Sequence, residues 1–495
     1  MTPIFLIAYA LLSVAASEMD TRAQPSFHDK AVFSPDPSYK QGVYNGEEQV
    51  EIYGGKRAVP NPRPLLEIGR PQYRAGPFRK GLTWFGKKNP MMPNLSFYGD
   101  VRLGIAQNDQ GAKDTALLAA RINLDIDYKL TSTERLHLFY APIDKNGKFT
   151  RFEFAGDTTN GKKLDFVPEL DPIPRAAFFE GDIGAMVSGG RNKYTSFDLP
   201  IALGIMPLLF QNGIFMEDAI TGLAVSYVGQ NSRKLGISNY DLTFFTAFDN
   251  VNNLAIRDAK NNVEKHKVFT YGMASFFDVL NGYLELDYAF IHDIRNLKQG
   301  DFSHHNLAGA YTHRIFDRVS SAWRVMSNVG QKRPASGPRQ ANGVLFLWEN
   351  AWITPFPSVL VPYSNFFLGV GRTQSVARDN GDVLKNTGIN FETDGLTGFP
   401  RLNDSGADAL GGALGVSYLF KYNRQIVAEL ATTHPYRGTT ALTQAGKLLG
   451  TQVAGGLRFQ QPFAQRCIVR FDVVGAFRKN DDPFYGVRLE LRVKL

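Results

Sequence analysis

Between Leu118 and Leu130 the chain alternates without interruption. Leu118, Ala120, Ile122, Leu124, Ile126, Tyr128 and Leu130 take one phase, and Arg121, Asn123, Asp125, Asp127 and Lys129 the other. Successive side chains of a strand point to opposite faces, so this is a strand with one apolar and one charged face. Four ionisable groups on one face cannot enter a dry core, because unpaired buried charge is too costly. Water must lie on one side of the strand and an apolar medium on the other.

The arrangement recurs at 94–106, where Leu95, Phe97, Gly99, Val101, Leu103 and Ile105 oppose Ser96, Tyr98, Asp100 and Arg102. It recurs at 484–495, where Tyr485, Val487, Leu489, Leu491, Val493 and Leu495 oppose Arg488, Glu490, Arg492 and Lys494. A strand that persists to the last residue needs a backbone partner, and closure against a first strand supplies one where lipid tolerates no open edge. Taken alone, the last segment also reads as an edge strand of a soluble sandwich.

Connection lengths decide between these readings. Brief turns at 131–133, 281–282, 316–318, 355–358, 422–424 and 461–464 alternate with long connections at 250–266, 295–305, 330–342 and 375–408. Transmembrane barrels have this parity, with short periplasmic turns and longer outer loops, whereas a soluble β protein has no reason to obey it. The expectation is an all-β, antiparallel, up-and-down transmembrane barrel over 94–495 with about 18 strands, within about 16 to 20. Both termini then fall on the periplasmic side and the four long connections face outward. The stretch 149–155, a weak place in the strand count, could form a hairpin of its own.

Residues 1–17 have a short apolar core followed by small residues and read as a signal peptide. Residues 18–93 are rich in proline, glycine and charge and read as an irregular periplasmic arm or partial plug. A 43% apolar content and a mean hydropathy of −0.21 suit a barrel in which only alternate residues meet lipid. No later apolar run approaches the ~18 residues of a membrane helix, which excludes a helical membrane protein. The single cysteine, Cys467, excludes an internal disulfide and multi-cysteine metal sites, and its apolar phase makes it a packing thiol.

On the polar phase, the lumen candidates are Arg121, Arg135, Arg314, Arg324, Arg458, Arg470, Arg488 and Arg492. The acids beside them are Asp125, Asp127, Glu285 and Asp287, with Asp100, Glu429, Asp472 and Glu490 on the same phase. Charged rings set pore selectivity, and the planar fork of arginine suits carboxylates and phosphates. Together with a pI near 9.2, this arginine excess points to anionic or polyhydroxylated solutes. The competing reading pairs these charges across strands as a stiffening ladder, with Arg470 and Asp472 beside Arg488 and Glu490.

The basic residues are spread along strands and not clustered with aromatics, so no nucleic-acid partner is expected. Catalytic motifs such as HExxH, a P-loop or GxSxG are missing from the sequence, and no enzyme and no cofactor is expected. His304 and His305 are read as solvated beside an outer loop, and 379–382 as a turn lacking the full spacing of a calcium loop.

These features resemble those of bacterial outer-membrane β-barrel channels of the porin class. The hairpin from Ala202 to Gly222 is similar to one in alginate-export-type channels. The resemblance implies a last strand read by the barrel-insertion machinery, although Leu495 stands where that class commonly has an aromatic residue. Expected partners are outer-membrane lipid and lipopolysaccharide, that machinery, and a small hydrophilic solute, with a monomer expected before a trimer. A closed-lumen barrel serving as an enzyme or as a structural or adhesion protein is the alternative function. A transporter with about 22 strands would need a larger plug than 18–93 supplies.

Overall fold

The structure, a computed structural model, describes residues 64–69 and 81–495 apart from 112, 146, 259–261, 296–300, 333–338, 393–394, 421–423, 438–449 and 465. The expected signal peptide, most of the arm, and Tyr422 and Asn423 of one expected turn lie outside the described residues.

In chain order the strands begin with β1 (Leu66–Gly69), β2 (Asn94–Asp109), β3 (Asp114–Lys129), β4 (Arg135–Tyr140), β5 (Asp144–Lys145), β6 (Lys148–Gly156), β7 (Asp165–Val167) and β8 (Ala176–Asp182). They continue with β9 (Pro200–Phe210), β10 (Met216–Ser232), β11 (Ile237–Asp249), β12 (Val268–Val279), β13 (Gly282–Asp293), β14 (His304–Ile315) and β15 (Val319–Val329). The last are β16 (Asn342–Trp352), β17 (Leu360–Arg372), β18 (Ala409–Leu419), β19 (Gln425–Pro435), β20 (Gln452–Pro462), β21 (Cys467–Arg478) and β22 (Phe484–Lys494). Antiparallel pairing runs consecutively from β8 to β22, β22 pairs β2, and β2, β3, β4 and β8 complete the ring. The result is a closed barrel of 18 strands, as the connection parity implied.

The seam joins Lys494 to Asp100 and Leu491 to Leu103, and the Leu495 amide donates to the Gly99 carbonyl at 2.9 Å. Below that point β1 takes over the free edge of β2, with Leu66 opposite Phe97 and Gly69 opposite Asn94. The arm thus contains a strand that its proline-rich composition did not announce.

Outward residues form an apolar band of exposed side chains that includes Leu103, Leu203, Phe244, Leu307, Phe366 and Leu430. A monomeric soluble protein does not leave such a belt in water, and lipid covers it. Among the described residues no helix is long and apolar enough to cross a membrane, so strands do the crossing.

The periplasmic turns are tight where expected. Leu280 and Asn281 both take left-handed φ angles of 56° and 58°, the conformation a two-residue hairpin requires. One periplasmic connection differs. The strand expected to run to Val187 stops at Asp182, whose carboxylate accepts from the Ala185 amide at 2.6 Å and caps a helix, α1 (Ile183–Arg191).

The largest departure is at 373–408. Its stretch 375–408 was expected to face outward, and its described residues fold into the lumen. Val376, Ala377, Val383, Leu384 and Phe391 are fully buried there and share one apolar core with wall residues such as Leu345, Phe367 and Ala413. With Leu402, six hydrophobic side chains concentrated in this loop join that core, so burial against the wall decides its path. The 149–155 stretch, within β6, pairs β7 antiparallel with Arg151 opposite Val167, and it also belongs to the wall. β6 pairs the upper end of β3 while β4 pairs its lower end, so both belong to one interrupted barrel strand. The chain between them turns inward at 141–145, where Asp144 reaches Arg121.

Candidate functional site

One wall of the lumen, made by β20, β21, β22, β2 and β3, carries most of the expected arginines. Arg458, Arg470 and Arg488 converge on Asp472 at 2.7, 2.8 and 2.9 Å. They reach it because alternate residues of neighbouring strands share the inner face, with Asp472 in register with both Arg458 and Arg488. Arg488 is nearly fully buried and also stacks on Phe399 of the inward loop, 4.8 Å from the ring centre. Arg102 binds Glu490 through two nitrogens at 2.7 and 2.9 Å. It stood on the charged phase of its strand but was not among the expected lumen residues. Arg492 pairs with Asp100.

The two inward segments each bring a carboxylate to this wall. Glu392 of the long loop lies 2.6 Å from Arg458 and 3.2 Å from Arg470. Asp144 of the shorter one lies 3.1 Å from Arg121 and also pairs with Arg175. The segments meet where Phe149, Leu396, Leu117 and Ala119 form a separate buried cluster. Neither acid was expected from sequence, because an irregular loop has no periodicity to show which way a side chain points.

Opposite, Arg324 pairs with Glu349 at 2.6 Å and Glu285 at 3.5 Å. Asp287 is taken up structurally, accepting from Gln211 at 2.9 Å and from the Ser275 amide at 3.0 Å. Toward the periplasmic mouth, Arg135 lies 3.9 Å from Asp127 and 3.7 Å from Glu180. Asp125 and Arg314 make no ion pair among the described residues, and Arg314 is exposed. The expected cross-strand ladder is therefore present in part, but its acids are supplied by loops as well as by strands.

Polar contacts seat the long loop around the wall. Glu217 on β10 holds Arg378 at 3.0 Å and Lys385 at 2.9 Å. Glu429 on β19 accepts from the Ile389 and Asn390 amides at 3.0 and 2.9 Å. Asn108 on β2 donates to the Thr397 carbonyl at 2.7 Å. Space for the loop comes from lumen-facing glycines. A Cβ on Gly104 would lie 2.9 Å from Thr397 Cγ2, and one on Gly486 would lie 2.7 Å from Pro400 Cδ.

His304 and His305 do point to opposite faces, but His304 is fully buried and not solvated, with Nδ1 2.9 Å from the Phe302 carbonyl. It opens β14, and the long loop covers its face of the wall.

No family model matches this chain, and neither does any curated protein. Among solved structures it is similar to OccAB4 of Acinetobacter baumannii, with a TM-score of 0.51 and 10% identity over 81% of this chain and 97% of that one. It is also similar to OpdL of Pseudomonas aeruginosa (TM-score 0.50, 10% identity, 81% and 98% covered) and OccK9 of the same organism (TM-score 0.50, 9% identity, 81% and 98% covered). These likenesses show the fold. A closed antiparallel barrel with an apolar belt and a charged lumen is the architecture of the bacterial outer membrane. The chain is an outer-membrane β-barrel.

Proposed function

We propose that this protein is an outer-membrane channel for hydrophilic solutes, preferring anionic or polyhydroxylated ones, and that the 373–408 loop gates it. The observation that carries the reading is Glu392. Its carboxylate occupies two wall guanidinium groups in the way an incoming anion would, since arginine pairs are suited to that geometry. Glu392 keeps 30% of its side-chain exposure, so water reaches this point of the lumen. A solute carboxylate arriving there competes with Glu392 for Arg458 and Arg470, and displacing it loosens the loop. Arg121, freed from Asp144, would extend the same anionic track.

The remaining expected residues take supporting parts in this proposal. Arg488 and Asp472 set the rigid base of the track, Arg324 with Glu285 and Asp287 shapes the opposite wall, and Arg135, Arg314, Arg492, Asp125 and Asp127 charge the periplasmic mouth. No reacting group enters the scheme, so the proposal is transport without catalysis. A lumen that stays shut, as in a structural or adhesion barrel, is the second reading, and the apolar residues buried on the loop favour it.

Planar-bilayer recording separates the two. Discrete conductance steps from the wild type or from Glu392→Gln support a channel, and silence from both sinks it. Reversal potential in a salt gradient then tests the anion preference, which a cation-selective result would refute.

A further inference from the structure

We propose that α1 and the arm segment 81–92 form a clamp for anionic phospholipid in the periplasmic leaflet of the membrane. The proposal stands on where the helix lies, on what it exposes, and on its charge.

The helix sends Met186 to the lipid-facing side of β8. Phe179 belongs to the outward phase, since it lies opposite Leu136 and Leu203, both exposed apolar residues of the belt. Phe178, its neighbour, stacks instead on His137 with ring centres 4.8 Å apart, on the phase of Glu180 and Asp127. Gly181 continues the outward phase, and a Cβ there would meet Met186 Cε at 2.7 Å and Phe179 Cζ at 3.0 Å. Met186 of α1 therefore lies over the outer surface of the barrel at its periplasmic rim, continuous with the apolar belt.

The arm is fastened to the end of this helix. The Lys87 amide donates to Asn192 Oδ1 at 2.7 Å, and the Lys88 ammonium lies 4.2 Å from the centre of the Tyr194 ring. Gly86 and Gly189 approach so closely that a Cβ on Gly86 would lie 1.9 Å from the Gly189 carbonyl oxygen. The joined surface presents Trp84 at 79% exposure and Tyr194 at 78%. Side chains of this type sit at the headgroup level of a bilayer, with an apolar body and a polar tip.

Charge names the lipid. Lys87, Lys88, Arg191 and Lys193 are exposed on the same surface. Residues 81–93 contain no carboxylate, and 183–199 contain only Asp198. A cationic and aromatic surface at the rim of an apolar belt complements a phosphodiester headgroup and its upper acyl chain. Zwitterionic lipid offers the same chains with no net charge, so the preference resides in the four cations.

The test uses the full-length protein refolded into vesicles of phosphatidylcholine, with and without phosphatidylglycerol. Trp84 fluorescence is isolated as the difference between wild type and Trp84→Phe. It is expected to be quenched by lipid brominated near the headgroup and shielded from aqueous iodide. Spin-labelled phosphatidylglycerol is expected to be selected over phosphatidylcholine by about fivefold or more. Charge reversal at Lys87, Lys88, Arg191 and Lys193 should bring that ratio close to one, with heat-modifiable gel migration confirming an intact barrel. Trp84 open to iodide and insensitive to brominated lipid would overturn the proposal and turn this surface toward a soluble periplasmic partner. An unchanged ratio in an intact charge-reversed barrel would overturn it as well.

Discussion

The Glu392 carboxylate lies 2.6 Å from the Arg458 guanidinium, which joins the middle of an inward-folded loop to a strand of the barrel wall. The same carboxylate reaches Arg470 at 3.2 Å. Loop position and lumen charge are therefore a single variable, and each is open to measurement through the other.

Glu392→Gln keeps the size of the side chain and removes its charge. Two guanidinium groups then lose their loop partner while Asp472 still holds them. We expect higher open probability and stronger anion selectivity, with the melting of the barrel nearly unchanged because partly exposed pairs contribute ~1 kcal/mol or less. Single-channel recording beside heat-modifiable electrophoresis checks both parts, and unchanged gating would refute the role given to Glu392.

Asp472→Asn should act on stability instead. Its carboxylate compensates three arginines, one of them Arg488, which is almost fully buried. Removing the shared acid leaves buried positive charge uncompensated, at a cost of about 3–5 kcal/mol in comparable buried pairs. The temperature at which the folded band converts to the unfolded one on a gel should fall clearly, and Asp472→Glu should restore part of it.

Gly104→Leu and Gly486→Leu test the seat of the loop. Both glycines face the lumen, and each approaches the loop within 3 Å of where a Cβ would lie. A large side chain must push Thr397 or Pro400 away, a typical overpacking penalty of about 1–3 kcal/mol. The added bulk enters the lumen, so barrel closure is unaffected. The expected result is larger conductance despite a bulkier wall residue, and a smaller conductance would show that the loop does not yield.

The loop should also respond to acid. Burial, reinforced by the negative charge of Asp404, pushes the Asp382 carboxyl up to about 6. Its folded value is above the ~3.9 of an unfolded chain, so the folded loop binds the proton more tightly. Its contribution to holding the loop is fully present below about pH 4 and is lost as pH rises through 6. Amide exchange in 376–404 should therefore be slower at pH 4.5 than at pH 7.5 relative to a matched intrinsic rate. Asp382→Asn should abolish most of that difference, and a difference of equal size in the variant would place the titration elsewhere.

The barrel is legible in the sequence because strand alternation and turn parity are local properties. Leu118 to Leu130 and the last strand need only two unlike media to state their faces, and the tight turns at 281 and 317 need only residues tolerant of left-handed φ. The same alternation sorts strand arginines by face, since a strand leaves a side chain just two directions. Local pattern weakens at helix α1, where Ala176 to Val187 reads as a continuing strand until the Asp182 cap ends it.

By itself the sequence determined the outer wall: which residues meet lipid, which meet the lumen, and how many times the chain crosses. Only the tertiary structure decided what stands inside. Glu392, Asp144 and Arg378 lie in segments without periodicity, and their direction depends on walls formed by strands far away in the chain. The apolar residues from Val376 to Leu402 are neutral about direction until a closed ring of strands offers a surface to bury them. Their burial together with the ion pairs to Glu217, Arg458 and Arg470 turns an outer connection into the element that crosses the lumen.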